Sequence, residues 1–164
     1  MSSLEITFKG EPVKLVGNPP QVGEMMPNAT VTDKDGNAVQ LHELIKDTTI
    51  LSVVPNVTTS VCSIQTQRFA EGTKDKDYQF LSVSVNTPEE WDGWKSEHNL
   101  SMTTLSDTDR DFGQATGLLM EGLDLLARSV FVLDAQKIVK YVQIVPEGTD
   151  EPSYDEAIAA ADSL

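Results

Sequence analysis

Residues 48–69, TTILSVVPNVTTSVCSIQTQRF, contain two kinds of periodicity in succession. The apolar, β-branched run that ends at Pro55 predicts a strand buried on both faces. After Thr59 the spacing of the apolar residues becomes helical. Four of them are available for the buried stripe of this helix: Val61, Ile64, Phe69 and Ala70. The stretch therefore predicts a central strand that leads directly into a helix.

Further strands are predicted on both sides of this stretch. YQFLSVSV (78–85) is a second buried apolar run, and RSVFVLDAQKIVKYVQIV (128–145) contains two strands about a turn at Asp134. LEITFKGEPVKLVG (4–17) alternates apolar and polar residues around Gly10, which predicts an N-terminal hairpin.

The helices lie between these strands. NTPEEWDGWKSEHN (86–99) predicts a helix with Thr87 as N-cap and Pro88 in the first helical position, and EPSYDEAIAAA (151–161) predicts a closing helix. Residues 18–45 predict a loop, two short strands about an Asp35-Gly36 turn and a short helix, and residues 111–127 predict a short helix followed by a loop. Strands separated by helices indicate an α/β sandwich with a central sheet.

Composition limits the classes of partner. The length of 164 residues and the 39% apolar content predict one compact domain over residues 1–164, with residues 1–18 as a hairpin extension. The net charge of −14 repels phosphate backbones and anionic lipid, so we expect neither nucleic acid nor a membrane as partner. No apolar run is long enough to span a bilayer, and a single cysteine forms no internal disulfide. We expect a cytoplasmic protein.

The single cysteine, Cys62, lies seven residues after Pro55. It is predicted in the first turn of a helix at the carboxyl end of a central strand, where open α/β sheets place their ligands. Free backbone N–H groups and the positive end of the helix dipole stabilise a thiolate there. A structural interpretation stays open at this point, because free cysteines are among the most buried residue types.

Neighbouring residues favour a reactive thiol. Thr59 precedes Cys62 by three residues, so its hydroxyl is able to accept from the thiol, to donate to a bound oxygen, or to cap the helix. Pro55 removes an N–H donor and shields the pocket. Arg68 and Arg128 are the candidate cations that could stabilise a thiolate. Arg128 begins an apolar strand, where a charge is costly unless it is paired. Arg68 is expected on a different helix face from Cys62.

The motif Pro55-x-x-x-Thr59-x-x-Cys62 resembles the active-site motif of peroxiredoxins, and PNVTTSVCSIQTQRF (55–69) resembles its bacterial thiol peroxidase version. The N-terminal hairpin, LLARSVFVLD (125–134) and the closing helix also resemble this subfamily in order and spacing, so the resemblance covers nearly the whole chain. It implies a thioredoxin-like sandwich, with a central mixed sheet flanked by helices and an added hairpin.

The resemblance also implies roles. Cys62 is the nucleophile that reduces hydrogen peroxide and organic hydroperoxides, Thr59 positions the peroxide, Pro55 forms the pocket wall and Arg128 holds the thiolate. No metal or organic cofactor is required. A homodimer is implied, and we expect the apolar segment from Met120 to Leu126 as a contact.

One feature departs from the subfamily, which usually carries a resolving cysteine in the helix after the second buried strand. Alignment on Pro88 and Trp94 puts Lys95 at that position. An alignment shifted by one residue would instead place Ser96 there, and the serine would then be an engineered replacement of cysteine. The alignment on Trp94 favours a natural lysine. The chain therefore predicts a one-cysteine cycle, completed by an external thiol such as thioredoxin or a low-molecular-weight thiol, or by a Cys62 to Cys62 bond between subunits.

A second class of function stays open. A non-enzymatic peroxide sensor or holding protein would keep the same fold and use only the oxidation of Cys62. His42 and His98 belong to no metal-binding motif and are expected to be solvated, and Trp91 and Trp94 are expected to pack in the core or an interface.

Overall fold

A computed structural model describes residues 4–164. The strands are β1 Glu5–Phe8, β2 Glu11–Lys14, β3 Thr30–Thr32, β4 Ala38–Gln40, β5 Thr49–Val53, β6 Gln79–Ser84, β7 Thr103–Ser106, β8 Leu119–Met120, β9 Leu125–Leu126, β10 Ser129–Leu133 and β11 Val139–Ile144. The helices are α1 Leu41–Leu44, α2 Ser60–Thr73, α3 Pro88–His98, α4 Asp111–Thr116 and α5 Tyr154–Asp162. None of the helices formed by residues 4–164 is long and apolar enough to cross a membrane.

Seven strands form one mixed sheet in the order β11-β10-β5-β6-β7-β3-β4. The three neighbours β5, β6 and β7 run parallel, and the other pairs are antiparallel. Strand β5 lies in the interior of the sheet, between β10 and β6, and all five of its residues are buried, as its apolar sequence predicts. The predicted α/β sandwich with a mixed central sheet is confirmed.

Apolar side chains cover both faces of the sheet. Alternate residues of β5 divide between two clusters: Leu51 joins the larger one, and Ile50 packs with Phe69 of α2 and Ala157 of α5. A third cluster lies beyond the carboxyl end of β5, where Val54, Val57, Cys62, Trp91 and Trp94 meet. Residues 54–62 are thus held between the end of the sheet and α3.

Local sequence signals placed several elements correctly. The Lys9-Gly10 turn joins β1 to β2, and both of its residues have positive φ, as a tight two-residue hairpin requires. Helix α3 begins with the predicted Thr87 cap, whose hydroxyl accepts from the Glu90 amide while the Glu90 carboxylate accepts from the Thr87 amide.

Two predictions of secondary structure were incomplete. Strand β7, sequence TTLS, was missed because its residues carry no apolar run, yet it pairs in parallel with β6. The predicted loop after α4 contains the short ribbon of β8 and β9. Met120 and Leu126 of this ribbon are buried in the core, and Leu123 is the exposed large apolar side chain there. The expected dimer contact from Met120 to Leu126 stays a prediction, in which Leu123 supplies the exposed apolar side chain.

The predicted buried stripe of α2 is fully confirmed only at Phe69; Val61 and Ala70 are half-buried. The structure exposes Ile64 and buries polar side chains instead: Gln65, Thr66 and Thr73, together with Cys62. Thr66 and Thr73 donate to backbone carbonyls one turn earlier, and Gln65 bonds to strand β5. Polar groups are tolerated in the interior because each has a partner, and apolar periodicity does not detect such a face.

One carboxylate helps to fasten the N-terminal hairpin to the loop after β11. Glu147 accepts hydrogen bonds from the Thr7 hydroxyl, the Lys9 and Gly10 amides, and both the amide and the hydroxyl of Thr149. The bonds from Thr149, followed by the one from the Gly10 amide, lower the pKa of Glu147 from 4.5 to about 2. The ionised carboxylate is therefore the form that holds the hairpin in place.

Replacement of Glu147 by glutamine should make the unfolding free energy depend less on pH in the acid range. The pKa of Glu147 is lower in the folded chain than in the unfolded chain, so the unfolded chain binds more protons in acid. The contribution of this carboxylate to the unfolding free energy is therefore complete above pH 4.5 and is lost as the pH falls through about 2. The difference in unfolding free energy between wild type and Glu147→Gln, measured in urea, should shrink from neutral pH to about pH 3. Glu5→Gln, which removes an exposed carboxylate from the same hairpin, is the control; a Glu147→Gln difference that stays constant with pH would contradict this account.

Candidate active site

The loop between β5 and α2 is fixed by two asparagine side chains. Asn86, just after the carboxyl end of β6, accepts from the Val57 amide at 2.8 Å and donates to the Asn56 side chain at 3.0 Å. The Asn56 side chain in turn accepts from the amide and the hydroxyl of Thr58. These bonds set where α2 begins, and so they set the position of Cys62.

Cys62 is the third residue of α2 and has no solvent exposure. It packs with Val54 and Val57 of the preceding loop and with Trp91 and Trp94 of α3. The two indole rings meet edge to face, with centroids 5.9 Å apart, so their predicted packing role is confirmed. The sulfur therefore lies in a largely apolar environment, where charge–charge contacts are weakly screened.

Arg128, which immediately precedes β10, supplies the charge. Its Nη2 lies 3.2 Å from Sγ of Cys62, its Nη1 donates to Oε1 of Gln65 at 3.0 Å, and its Nε donates to the Gly148 carbonyl at 2.8 Å. The side chain is 2% exposed. Each guanidinium nitrogen thus has a partner, and the arginine is fixed in one orientation beside the thiol.

Gln65 is a site residue that the sequence analysis missed. Its amide nitrogen donates to the Ser52 hydroxyl of β5 at 2.9 Å, which orients its oxygen towards Arg128. Its spacing of three residues from Cys62 places both on one face of α2, and this was the signal that could have found it. Because its two ends bind different elements, Gln65 joins the central strand to the arginine.

The other predicted residues have distinct positions. Pro55 is buried at the end of β5. Thr59 is the N-cap residue and its carbonyl accepts from the Ser63 amide, but its hydroxyl donates to the Asn56 carbonyl at 2.9 Å. Within residues 4–164 the Thr59 side chain neither caps the helix nor bonds the sulfur of Cys62. Arg68, as expected, faces away and pairs with Glu151.

A second polar group lies beside Cys62, between α2 and α3. The Ser63 hydroxyl is 3.0 Å from the Trp94 indole nitrogen, 3.0 Å from the Gln67 amide nitrogen and 3.3 Å from His98 Nε2. His98 stacks on Trp94. His42 lies 2.6 Å from the Met26 carbonyl, and both histidines are half-buried, so they are less exposed than expected.

The position of the usual resolving cysteine is on α3. Lys95 lies 3.8 Å from Asp92 and its side chain is mostly buried, whereas Ser96 is exposed. With Cys62 as the only cysteine of the chain, an intramolecular disulfide is excluded at either position. Among residues 4–164, no group of three His, Cys, Asp or Glu side chains is placed to hold a metal ion.

Comparison with known proteins identifies the family. The Redoxin family profile matches residues 21–158. The chain belongs to the redoxin family. This redoxin is 44% identical to the thiol peroxidase of Listeria innocua over 160 residues, which span 96% of this chain and 97% of that protein. It is 43% identical to the thiol peroxidase of Staphylococcus saprophyticus over 158 residues, 95% and 96% of the two chains.

Solved structures agree on the fold. A peroxiredoxin-like protein from Aquifex aeolicus superposes with a TM-score of 0.91 at 30% identity, covering 99% of each chain. A thiol peroxidase from Chromobacterium violaceum superposes with a TM-score of 0.85 at 18% identity, covering 99% of this chain and 98% of that one. The thioredoxin-like fold with an added hairpin is confirmed, and this redoxin is a bacterial type of thiol peroxidase that lacks a resolving cysteine.

Replacement of Gln65 by leucine should disturb the arginine without changing its charge. The variant leaves Nη1 of Arg128 without its partner inside the protein, which costs about 1–3 kcal/mol of unfolding free energy. It should also slow alkylation of Cys62 by iodoacetamide at neutral pH in the folded protein. Gln67→Leu removes an amide from the same helix that does not contact Arg128, and it should leave the alkylation rate unchanged. Equal rates for both variants and wild type would contradict a role for Gln65.

Proposed function

We propose that this redoxin reduces peroxides through Cys62. The observation that carries the proposal is the 3.2 Å contact between Nη2 of Arg128 and Sγ of Cys62 in the first turn of α2. A guanidinium at this distance stabilises negative charge on the sulfur, which is the charge that a nucleophilic thiol needs. Family membership and the thiol peroxidase relatives support the same chemistry.

The first step is a two-electron transfer. The Cys62 thiolate attacks one peroxide oxygen, an S–O bond forms as the O–O bond breaks, and the second oxygen leaves as hydroxide or alkoxide. That oxygen takes a proton and departs as water or an alcohol. Cys62 is left as a sulfenic acid, and Arg128 stabilises the charge that develops across the breaking bond.

Thr59 and Pro55 complete the proposed pocket. A rotation about the Cα–Cβ bond of Thr59 would move its hydroxyl from the Asn56 carbonyl towards a bound peroxide, to which it would donate. Pro55 is buried beside the loop and offers no N–H of its own, so it would form an apolar wall. Hydrogen peroxide and organic hydroperoxides are the proposed substrates.

The second half of the cycle requires a partner. An external thiol attacks the sulfenic sulfur to give a mixed disulfide and water, and a second thiol then releases Cys62. Because Cys62 has no solvent exposure, the first turn of α2 must open before a reductant can reach it. Thioredoxin or a low-molecular-weight thiol is the proposed reductant. We further propose that this redoxin is a homodimer and that it is located in the cytoplasm.

Turnover separates this proposal from a peroxide sensor or holding protein. The purified protein is mixed with hydrogen peroxide or cumene hydroperoxide, with dithiothreitol or thioredoxin and its reductase as reductant, and peroxide loss is followed over many equivalents. We expect sustained turnover that Cys62→Ser abolishes. One stoichiometric oxidation of Cys62 that none of these reductants reverses would support the sensor instead.

Thr59 should matter for the chemical step. Thr59→Val keeps the shape of the side chain and removes the hydroxyl, so we expect the rate constant for oxidation of Cys62 by peroxide to fall by about 100-fold. Thr59→Ser should recover most of the rate, and Thr103→Val, the same change at an exposed threonine of β7, is the control. Stopped-flow fluorescence under single-turnover conditions measures all three; a wild-type rate in Thr59→Val would remove Thr59 from the mechanism.

A further inference from the structure

We propose that Glu147 is a positioning residue for the active-site arginine, through which the N-terminal hairpin sets the reactivity of Cys62. The inference rests on the proposed peroxidase function and extends it to a carboxylate outside the active site. It arises from two observations made separately above: Glu147 fastens the hairpin to the loop after β11, and the next residue in that loop bonds to Arg128.

The connection from Glu147 to the sulfur has few steps. The carbonyl of Gly148 accepts from Nε of Arg128 at 2.8 Å, and Nη2 of the same guanidinium lies 3.2 Å from Sγ of Cys62. A guanidinium is planar and rigid, so a shift of the group bound at Nε moves Nη2 as well. The position of the Gly148 carbonyl therefore determines the distance from the charge to the sulfur.

The hairpin fixes that carbonyl from the other side. The Thr7 amide donates to the Pro146 carbonyl at 2.8 Å, and the Gly148 amide donates to the Thr7 carbonyl at 2.7 Å. A Cβ at Gly148 would overlap the ring of Phe8, so the glycine is closely covered by β1. The loop lies against the hairpin like a further short strand, and the orientation of the Gly148 peptide follows from this pairing.

Glu147 provides the charge that holds this pairing together. Its two carboxylate oxygens accept from five donors, three of which belong to the hairpin: Thr7, Lys9 and Gly10. Backbone N–H groups that converge on an ionised carboxylate form strong hydrogen bonds. The other two donors, both from Thr149, fix the far side of the Gly148 peptide. Loss of the carboxylate would free both the hairpin turn and the loop.

The inference gives the hairpin a function. Residues of β1 and β2 are distant from Cys62 along the chain, and the contacts described above connect them to it through the loop and Arg128. A merely structural clamp would affect the stability of the protein alone. A positioning clamp would in addition change the chemistry of a thiol that none of its atoms touches.

The test compares Glu147→Ala, Glu147→Gln and Thr7→Val with wild type at a temperature at which circular dichroism shows that all are folded. Two readouts are used: the pH profile of Cys62 alkylation by iodoacetamide, and the rate constant for its oxidation by hydrogen peroxide. We expect Glu147→Ala to move the midpoint of the profile upward by about one pH unit and to slow oxidation by about 10-fold. Glu147→Gln and Thr7→Val keep part of the hydrogen bonding and should give intermediate values.

The control is Glu151→Ala, which removes an exposed carboxylate four residues further along; Glu151 contacts Arg68 and Tyr154. It should match wild type in both readouts. Lower melting temperatures for the Glu147 and Thr7 variants, with an unchanged alkylation profile and rate constant, would overturn the inference and leave a structural clamp. If wild type itself reacts with peroxide no faster than a free thiol, the proposed function fails, and the alkylation profiles still decide this inference.

Discussion

The guanidinium of Arg128 is the constraint on which the active site depends. Its three nitrogens contact Cys62 of α2, Gln65 of α2 and the Gly148 carbonyl of the loop after β11. A buried charge is costly unless its partners are fixed, so these elements must be correctly assembled before the arginine can occupy its place. The thiol is therefore activated only when the elements that hold Arg128 have folded together.

The choice of arginine follows from geometry. A lysine would place a point charge near the sulfur, but it would not bond to three separate groups in one plane. Hydrogen bonds to Gln65 and to the Gly148 carbonyl fix the plane of the guanidinium, and Nη2 contacts the sulfur. In a chain with a net charge of −14, this buried cation is shielded from the acidic surface by the sheet and the helices around it.

The sequence allowed the fold and the centre of the site to be predicted, but not the supporting residues. Apolar runs and turn signals placed β5, the N-terminal hairpin and α3, and the motif from Pro55 to Cys62 placed the thiol at a helix start. Asn86 and Glu147 were missed because a polar residue gives no sign in the sequence that its partner lies on another element. For Gln65, the spacing from Cys62 was a signal, but it did not show that Arg128 would be the partner. Strand β7 was missed because pairing with β6, and not its own composition, makes it a strand.

The rate of the first oxidation step tests the central claim, that Arg128 makes Cys62 reactive towards peroxide, most directly. Trp91 and Trp94 pack around Cys62, so their fluorescence should report its oxidation by excess hydrogen peroxide in a stopped-flow experiment. The account predicts a rate constant at neutral pH far above that of free cysteine under the same conditions. A rate constant no greater than that of free cysteine would contradict it.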